Sequence, residues 1–122
     1  MKIKDIIRIF DLRRQNSVSL SEKCRIIDSF ERRLNTTLLI PLGLDSVIDE
    51  YTEDTEKILG REAIIDNGFE ELYLEYLSAE CSLYEGDISR YNTDIAEYMR
   101  LMREYSQNRQ REGKAEINRL TV

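Results

Sequence analysis

Histidine is absent from this sequence, and with it the side chain that most often acts as general base, proton shuttle and zinc ligand. The five glycines lie too far apart to form a phosphate-binding loop. Without histidine, no hydroxyl or thiol nucleophile can be paired with the base that usually activates it. We therefore expect a protein that is not an enzyme and that uses no cofactor.

Long apolar runs are also missing. No stretch approaches the run of about 18 apolar residues that spans a membrane. Residues 1–5 lack the apolar core of a signal peptide, so synthesis in the cytoplasm without membrane attachment is expected. Cysteine is scarce: Cys24 and Cys81 lie in apolar helical patterns, which favours buried, reduced thiols over a disulfide or a metal site.

Charged residues are distributed unevenly along the chain, whose 122 residues predict a single domain. Residues 1–40 carry a net charge of +4, residues 41–99 carry −13, and residues 100–122 carry +3. This distribution has two interpretations. The charges form ordinary solvated faces, or they form complementary patches that meet between neighbouring subunits.

The basic N-terminal part predicts two amphipathic helices within an all-α fold. Apolar residues recur at helical spacing over residues 4–14, and a polar break follows at 15–17. Ser19 and Glu22 match a capping box, in which the serine hydroxyl accepts a hydrogen bond from the backbone three residues on. We place a second helix over residues 20–38, ended by Pro41 and Gly43.

An acidic segment with few apolar partners follows at residues 41–66. It lacks the alternating acidic residues and the glycine of a calcium-binding loop, so no metal site is expected. The composition favours an irregular segment with a short extended piece around Ile64 and Ile65. Four of its acidic residues are considered for a role in assembly: Asp49, Glu50, Glu53 and Asp54.

A seven-residue apolar repeat begins at position 74 and continues for five heptads. Its first row is Leu74, Cys81, Ile88, Ile95 and Met102, and its second row is Leu77, Tyr84, Tyr91, Tyr98 and Tyr105. The two rows, here called the heptad stripe, occupy the a and d positions on one side of a helix. An unbroken helix over residues 70–107 is about 55 Å long and needs a partner along its length.

Gly86 interrupts this segment with a residue that costs about 1 kcal/mol relative to alanine inside a helix. Because the heptad register continues across Gly86, a continuous or gently kinked helix is favoured over a helix–turn–helix pair. Tyrosine is bulky for a two-stranded coiled coil but common at protein interfaces. We therefore expect the tyrosines to contact a neighbouring subunit, the first two helices of the same chain, or both.

The heptad stripe is the predicted oligomer or partner interface. The residues assigned to it are Leu74, Leu77, Tyr84, Ile88, Tyr91, Ile95, Tyr98, Met102 and Tyr105. The helical domain is placed at residues 1–107. Residues 108–122 are basic and have little apolar pattern, which predicts a flexible tail that orders on assembly.

Two segments in this region resemble a known family. Residues 67–77 read NGFEELYLEYL, similar to a Tyr-(Asp/Glu)-Glu-Leu-Tyr-x-x-Tyr-Leu pattern, and residues 84–92 read YEGDISRYN, similar to Tyr-x-Gly-Glu-x-x-(Arg/Lys)-Tyr-Asn. Small proteins from the structural-gene clusters of tailed bacteriophages and prophages carry these patterns and are similar to head–tail connector, or head-completion, proteins. The chain departs from the pattern at Phe69, where tyrosine is usual, and lacks the usual short basic ending.

The resemblance, which covers about residues 66–110, implies a structural virion protein. Its members form an oligomeric ring beneath the portal protein and join it to the tail or stopper protein. The implied partners are other copies of the chain, the portal protein, the tail or stopper protein and, non-specifically, the packaged DNA. On this interpretation Asp49, Glu50, Glu53 and Asp54 face either the DNA channel or a basic patch on the neighbouring subunit. Their neutralisation then weakens ring formation only in the second case.

Two other functions fit the sequence. The first is a helical scaffold or tail-assembly interaction protein. The second is a small DNA-binding regulator, because two helices joined by a polar break carry a group of arginines and resemble a helix-turn-helix. The break lacks the usual glycine, and the domain is acidic overall, which disfavours the regulator. The arginines concerned are Arg13, Arg14, Arg25, Arg32 and Arg33.

Overall fold

A computed structural model describes residues 1–44, 51–65 and 68–120. It confirms the predicted all-α class. The helices are α1 (Ile3–Arg13), α2 (Leu20–Leu34), a π-helical turn (Asn35–Leu39), α3 (Thr55–Leu59), α4 (Glu71–Glu85) and α5 (Ile88–Leu120). An isolated β-bridge pairs Lys2 with Glu62. Within the described ranges, no helix is both long enough and apolar enough to cross a membrane.

The first two helices form where the sequence predicts them. α1 turns one apolar face into the core, from Ile3 to Phe10. At the start of α2, the Ser19 hydroxyl accepts a hydrogen bond from the backbone N–H of Glu22 at 3.1 Å, as the capping-box pattern requires. The π-helical turn occupies the end of the predicted second helix, and the chain leaves helical geometry by Gly43, whose φ is +72°.

The acidic segment contains a short helix that its composition does not predict. The Asp54 carboxylate accepts a hydrogen bond from the backbone N–H of Glu56 at 3.0 Å and so caps α3. α3 inserts the buried side chain of Ile58 into the core. After α3, the backbone pairs with the N-terminus, where Ile3 donates to the carbonyl of Arg61 and Ala63 donates to that of Met1. The extended piece thus lies just before its predicted position.

The largest difference from the sequence prediction concerns the C-terminal half. The favoured continuous helix over residues 70–107 is wrong, because the chain reverses at residues 86–87 and α5 packs back along α4. Side chains that lie at similar distances before and after the turn contact each other: Ser82 with Asp94, Tyr76 with Tyr98 and Phe69 with Tyr105. The two helices therefore form an antiparallel hairpin, which is the alternative that the glycine suggests.

The tail prediction also differs from the structure, because residues 108–120 belong to α5. Two contacts explain why the helix continues. The guanidinium of Arg109 lies 5.5 Å from the ring centroid of Tyr105 and pairs with Glu112 at 2.7 Å. Gly113 is buried against Leu42, and a Cβ atom added there would lie 3.1 Å from the Leu42 Cβ. Glycine thus allows α5 to pass close to the chain segment after the π-helical turn.

Candidate protein-interaction surface

The turn between α4 and α5 is a Schellman motif. Gly86 has φ +75° and ψ 16°, the left-handed conformation that glycine adopts without steric cost. Its N–H donates to the Leu83 carbonyl at 3.1 Å, and the N–H of Asp87 donates to the Ser82 carbonyl at 2.9 Å. The Asp87 carboxylate then caps α5 by accepting from the N–H of Arg90 at 3.1 Å. One glycine and one aspartate thus end one helix and start the next.

The half of the heptad stripe far from the turn lies inside the chain. Leu77 and Tyr105 are each only 2% exposed, and they belong to the core with Cys81. Leu74, Tyr98 and Met102 are half-buried against the same core. Leu77 and Tyr105, both assigned to the partner interface, are therefore inaccessible to a partner in this conformation. Away from the turn, α4 and α5 both direct the stripe towards the core, and this is compatible with an unbroken register across the turn.

The half of the stripe near the turn is exposed. Tyr84 is 68% exposed and Ile88 is 58% exposed, and Leu83 beside them is 49% exposed. These three residues form what we call the tip patch. Tyr91 and Ile95 are half-buried further along α5. Leu83 lies outside the two heptad rows, so the sequence pattern misses it, and only the position of the turn indicates that it joins the patch.

An aromatic groove lies at the other end of the hairpin, between α2, α4 and α5. The rings of Phe30 and Tyr76 stack with centroids 4.7 Å apart, and Tyr98 lies 5.3 Å from Tyr76. The groove has a volume of about 310 Å³ and is also lined by Leu38 and Met102. Burial raises the pKa of Tyr98 to about 12 and raises that of Tyr76 as well. The groove is therefore a continuation of the core that opens to the surface.

A buried arginine fixes the hairpin to α1. Arg14 donates to the carbonyl and hydroxyl oxygens of Ser78 at 2.7 and 2.8 Å and to the hydroxyl of Ser82 at 3.1 Å. It also pairs with Glu85 at 3.2 Å and Asp94 at 3.5 Å. Both serine hydroxyls donate to Asp94. This Arg14 cluster joins α1 to both arms and balances a buried cation with two carboxylates.

A second ionic cluster lies inside the core. Glu31 is fully buried and accepts hydrogen bonds from Tyr73, from Arg61 at 2.6 Å and from the backbone of Ile64 at 2.8 Å. Arg61 also pairs with Asp28 at 2.7 Å. Burial, followed by the neighbouring Glu31 carboxylate, raises the pKa of the Tyr73 hydroxyl. Apart from the Arg61 Nε, which is buried without a hydrogen-bond partner, these groups bind each other, which is the arrangement of a structural cluster that links α2 to the segment after α3.

The four acidic residues considered for assembly fall into two groups. Asp49 and Glu50 lie outside the described residues. Glu53 and Asp54 are exposed. Asp54 caps α3, and Glu53 accepts a hydrogen bond from the Tyr51 hydroxyl at 3.3 Å. Asp54 therefore has a structural role that is independent of any partner, whereas the Glu53 carboxylate lies at the surface.

Most of the arginines behind the DNA-binding alternative are engaged within the chain. Arg13 pairs with Glu71 at 2.7 Å, Arg25 pairs with Glu22, and Arg32 pairs with Asp28 at 3.0 Å. Arg14 is buried in its own cluster. Much of the positive charge of the N-terminal part is thus neutralised by carboxylates of the same chain. Part of the charge complementarity in the sequence is intramolecular.

The cysteines lie where the sequence places them. Cys24 and Cys81 are both buried and unpaired with each other. Burial raises the pKa of the Cys24 thiol to about 11 and also raises that of Cys81. Both therefore act as small apolar side chains with low reactivity. Among the residues that the structure describes, no group of three or more His, Cys, Asp or Glu side chains is arranged to hold a metal ion.

Comparison with known proteins gives no family for the chain: no family model, no curated protein and no solved structure matches it.

Proposed function

We propose that this protein is a structural subunit of a head–tail connector ring, which joins the portal protein to the tail or stopper protein of a tailed bacteriophage. The observation that carries the proposal is the position of the second resemblance motif. Residues 84–92 form the hairpin turn and the start of α5, and they include two of the three tip-patch residues, Tyr84 and Ile88. The segment that is similar to the connector family thus carries two large exposed apolar side chains at the turn of the hairpin.

The physical character of the surface supports an assembly role. Large exposed apolar side chains that project together usually mark protein contacts, and tyrosine is enriched in them. The tip patch is held on two helices whose relative position is fixed by the Arg14 cluster. A rigid support reduces the entropy lost on binding. A protein of this kind acts by contact, without catalysis or a cofactor.

The remaining partners follow from the proposed place in the virion. The copies of the chain contact each other in a ring, and the ring contacts the portal on one side and the tail or stopper protein on the other. Exposed acidic residues such as Glu53 face either the packaged DNA or a basic patch on the neighbouring subunit. Negative charge at the channel would allow DNA to slide past without specific binding.

The decisive experiment mixes the purified chain with the portal protein of the same phage or prophage and measures the mass and shape of the complex by native mass spectrometry and cryo-electron microscopy. We expect a ring of subunits stacked on the portal. A double variant, Tyr84→Ser with Ile88→Ser, should weaken this complex at least tenfold, since a tyrosine that anchors an interface costs about 2 kcal/mol or more when it is truncated.

The matched control is Met99→Ser, because Met99 is an equally exposed apolar residue of α5 outside the tip patch. It should bind the portal as the unmodified protein does. A chain that stays monomeric and ignores the portal would contradict the connector proposal and favour the scaffold or tail-assembly alternative. Strong, salt-dependent retention on DNA would instead favour the regulator.

A further inference from the structure

The heptad stripe has a property that the hairpin does not use. Its register runs unbroken through the turn, so that Tyr84 and Ile88 occupy successive d and a positions four residues apart. In the hairpin, these two residues are the most exposed members of the stripe, although Leu77 and Tyr105 in the same rows are buried. Tyr84 and Ile88 would join the buried members of the stripe in one continuous apolar seam if the helix were straight, which indicates a second conformation.

The turn is short enough to straighten at a single point. Residues 86–87 are the only ones between the two helices. Straightening replaces the two Schellman hydrogen bonds of Gly86 and Asp87 with the ordinary bonds of a continuous helix, so the number of backbone bonds is maintained. A hinge of this length is also the kind of connection at which identical elements exchange between subunits.

We infer that α5 exchanges between two copies of this chain through straightening at Gly86, with the tip patches of the two copies packing together along the new continuous helix. The occupant of the surface that α5 leaves is another copy's α5. That surface fits α5 through contacts between aromatic side chains, Tyr76 with Tyr98 and Phe69 with Tyr105. The hydrogen bonds of Ser78 and Ser82 to Asp94 add to this fit.

The exchanged form remakes the contacts between α4 and α5 away from the turn, loses those of the turn itself and adds one at the tip patch. Arg14 meets Asp94 of the neighbouring copy, and the Gly113 approach to Leu42 is likewise remade between copies. Tyr84 and Ile88, exposed in the closed chain, become buried at the crossing of the two straight helices. The net gain is therefore located in the tip patch, and protein concentration determines how far the exchange proceeds.

This inference deepens the proposed function and rests on it for the ring, in which each subunit would pass α5 to the next. A head-to-tail exchange gives a ring when the rotation between copies closes and an open filament when it does not, whereas a mutual exchange gives a dimer. If copies of the chain exchange α5 but do not bind the portal, the exchange is supported and the connector proposal is contradicted. If closed hairpins bind the portal without exchange, the connector proposal is supported and the exchange is contradicted.

The first test changes the hinge residue. Gly86→Ala favours a continuous helix and disfavours the left-handed turn, which together should raise the ratio of exchanged to closed chains about 30-fold. Gly86→Asn is the matched control, because asparagine tolerates the left-handed conformation and is a poor helix former. Sedimentation at equal concentration should show more oligomer for Gly86→Ala, while Gly86→Asn should behave as the unmodified protein does. Equal behaviour of all three would overturn the inference.

The second test identifies which chain supplies α5. Burial raises the pKa of Glu75 on α4, and the nearby carboxylates of Asp94 and Glu97 on α5 raise this pKa as well. Cysteines at Glu75 and Glu97, joined by a short bis-maleimide, should link two chains in the oligomer and one chain in the monomer on a denaturing gel. The native Cys24 and Cys81 are buried and protected. Links confined to single chains in the oligomer fraction would overturn the inference, because the copies would then associate only by their surfaces.

Discussion

The two ends of the helical hairpin consist of the same kinds of residue, in the same heptad rows, and have opposite environments. Far from the turn, Leu77 and Tyr105 are buried against α1, α2 and each other's helix. At the turn, Tyr84 and Ile88 face solvent. The difference arises because α1 and α2 cover one end of the hairpin and leave the other uncovered. A periodic apolar pattern therefore predicts which face of a helix packs against other protein surfaces. The rest of the fold determines which part of that face stays exposed to a partner.

The largest expected effect comes from removing the same side-chain atoms in the covered and in the exposed part of α4. Leu77→Ala should lower the free energy of unfolding by about 3 kcal/mol, because it leaves a cavity in the core. Leu83→Ala, six residues along the same helix, should change it by less than about 0.5 kcal/mol, since Leu83 is half exposed. Urea unfolding followed by circular dichroism measures both. Equal losses would mean that the turn end is also packed within the single chain.

The Arg14 cluster gives a test of intermediate size. Arg14→Met leaves Asp94 and Glu85 without their shared cation, and we expect a loss of about 2 kcal/mol, reduced because Glu85 is partly exposed. Arg13→Met is the matched control in the adjacent position, where the pair with Glu71 is exposed and worth at most about 1 kcal/mol. The same urea titrations apply. If the two variants were equally stable, the cluster would not fix the hairpin to α1.

The smallest expected effect concerns pH at the covered end. Burial raises the pKa of Tyr98 to about 12, so the folded chain keeps a proton that the unfolded chain loses at its ordinary pKa near 10. The contribution of neutral Tyr98 to the free energy of unfolding is therefore fully present below about pH 10 and is lost as the pH rises towards 12. Tyr98→Phe cannot ionise and should lose less stability over this window than the unmodified protein. Chemical unfolding at pH 8, 10 and 11 would reveal the difference, and parallel slopes would contradict it.

Local signals in the sequence were sufficient for the N-terminal helices. The apolar face from Ile3 to Phe10 and the Ser19 cap each involve residues within one or two helical turns. Both signals can therefore be read from neighbouring residues in the sequence. The five-residue α3 is too short for a periodic signal, and only its cap, Asp54, marks it. The buried ionic clusters could not be predicted, because Arg14 and Asp94 are 80 positions apart and their contact depends on the complete fold.

The hairpin turn was missed for a more instructive reason. An antiparallel hairpin and a straight helix both keep the a and d rows on one face of each helix, so register alone cannot distinguish them. The deciding signal lies in Gly86 followed by Asp87, a glycine suited to end one helix and an aspartate suited to cap the next. Of the predicted interface residues, Tyr84 and Ile88 are available in the closed chain, while Leu77 and Tyr105 are buried.

The arms of the hairpin are unequal, and this gives α5 the geometry of a lever. α4 has 15 residues and α5 has 33, which makes α5 about 50 Å long. Its buried contact at Tyr105 lies near the middle, with about 25 Å of helix on each side. A rotation of about ten degrees around this point would move both ends by about 4 Å in opposite directions. Because Arg14, Ser78 and Ser82 hold α5 at Asp94, on the turn side of Tyr105, such a rotation would first have to break the contacts of Asp94.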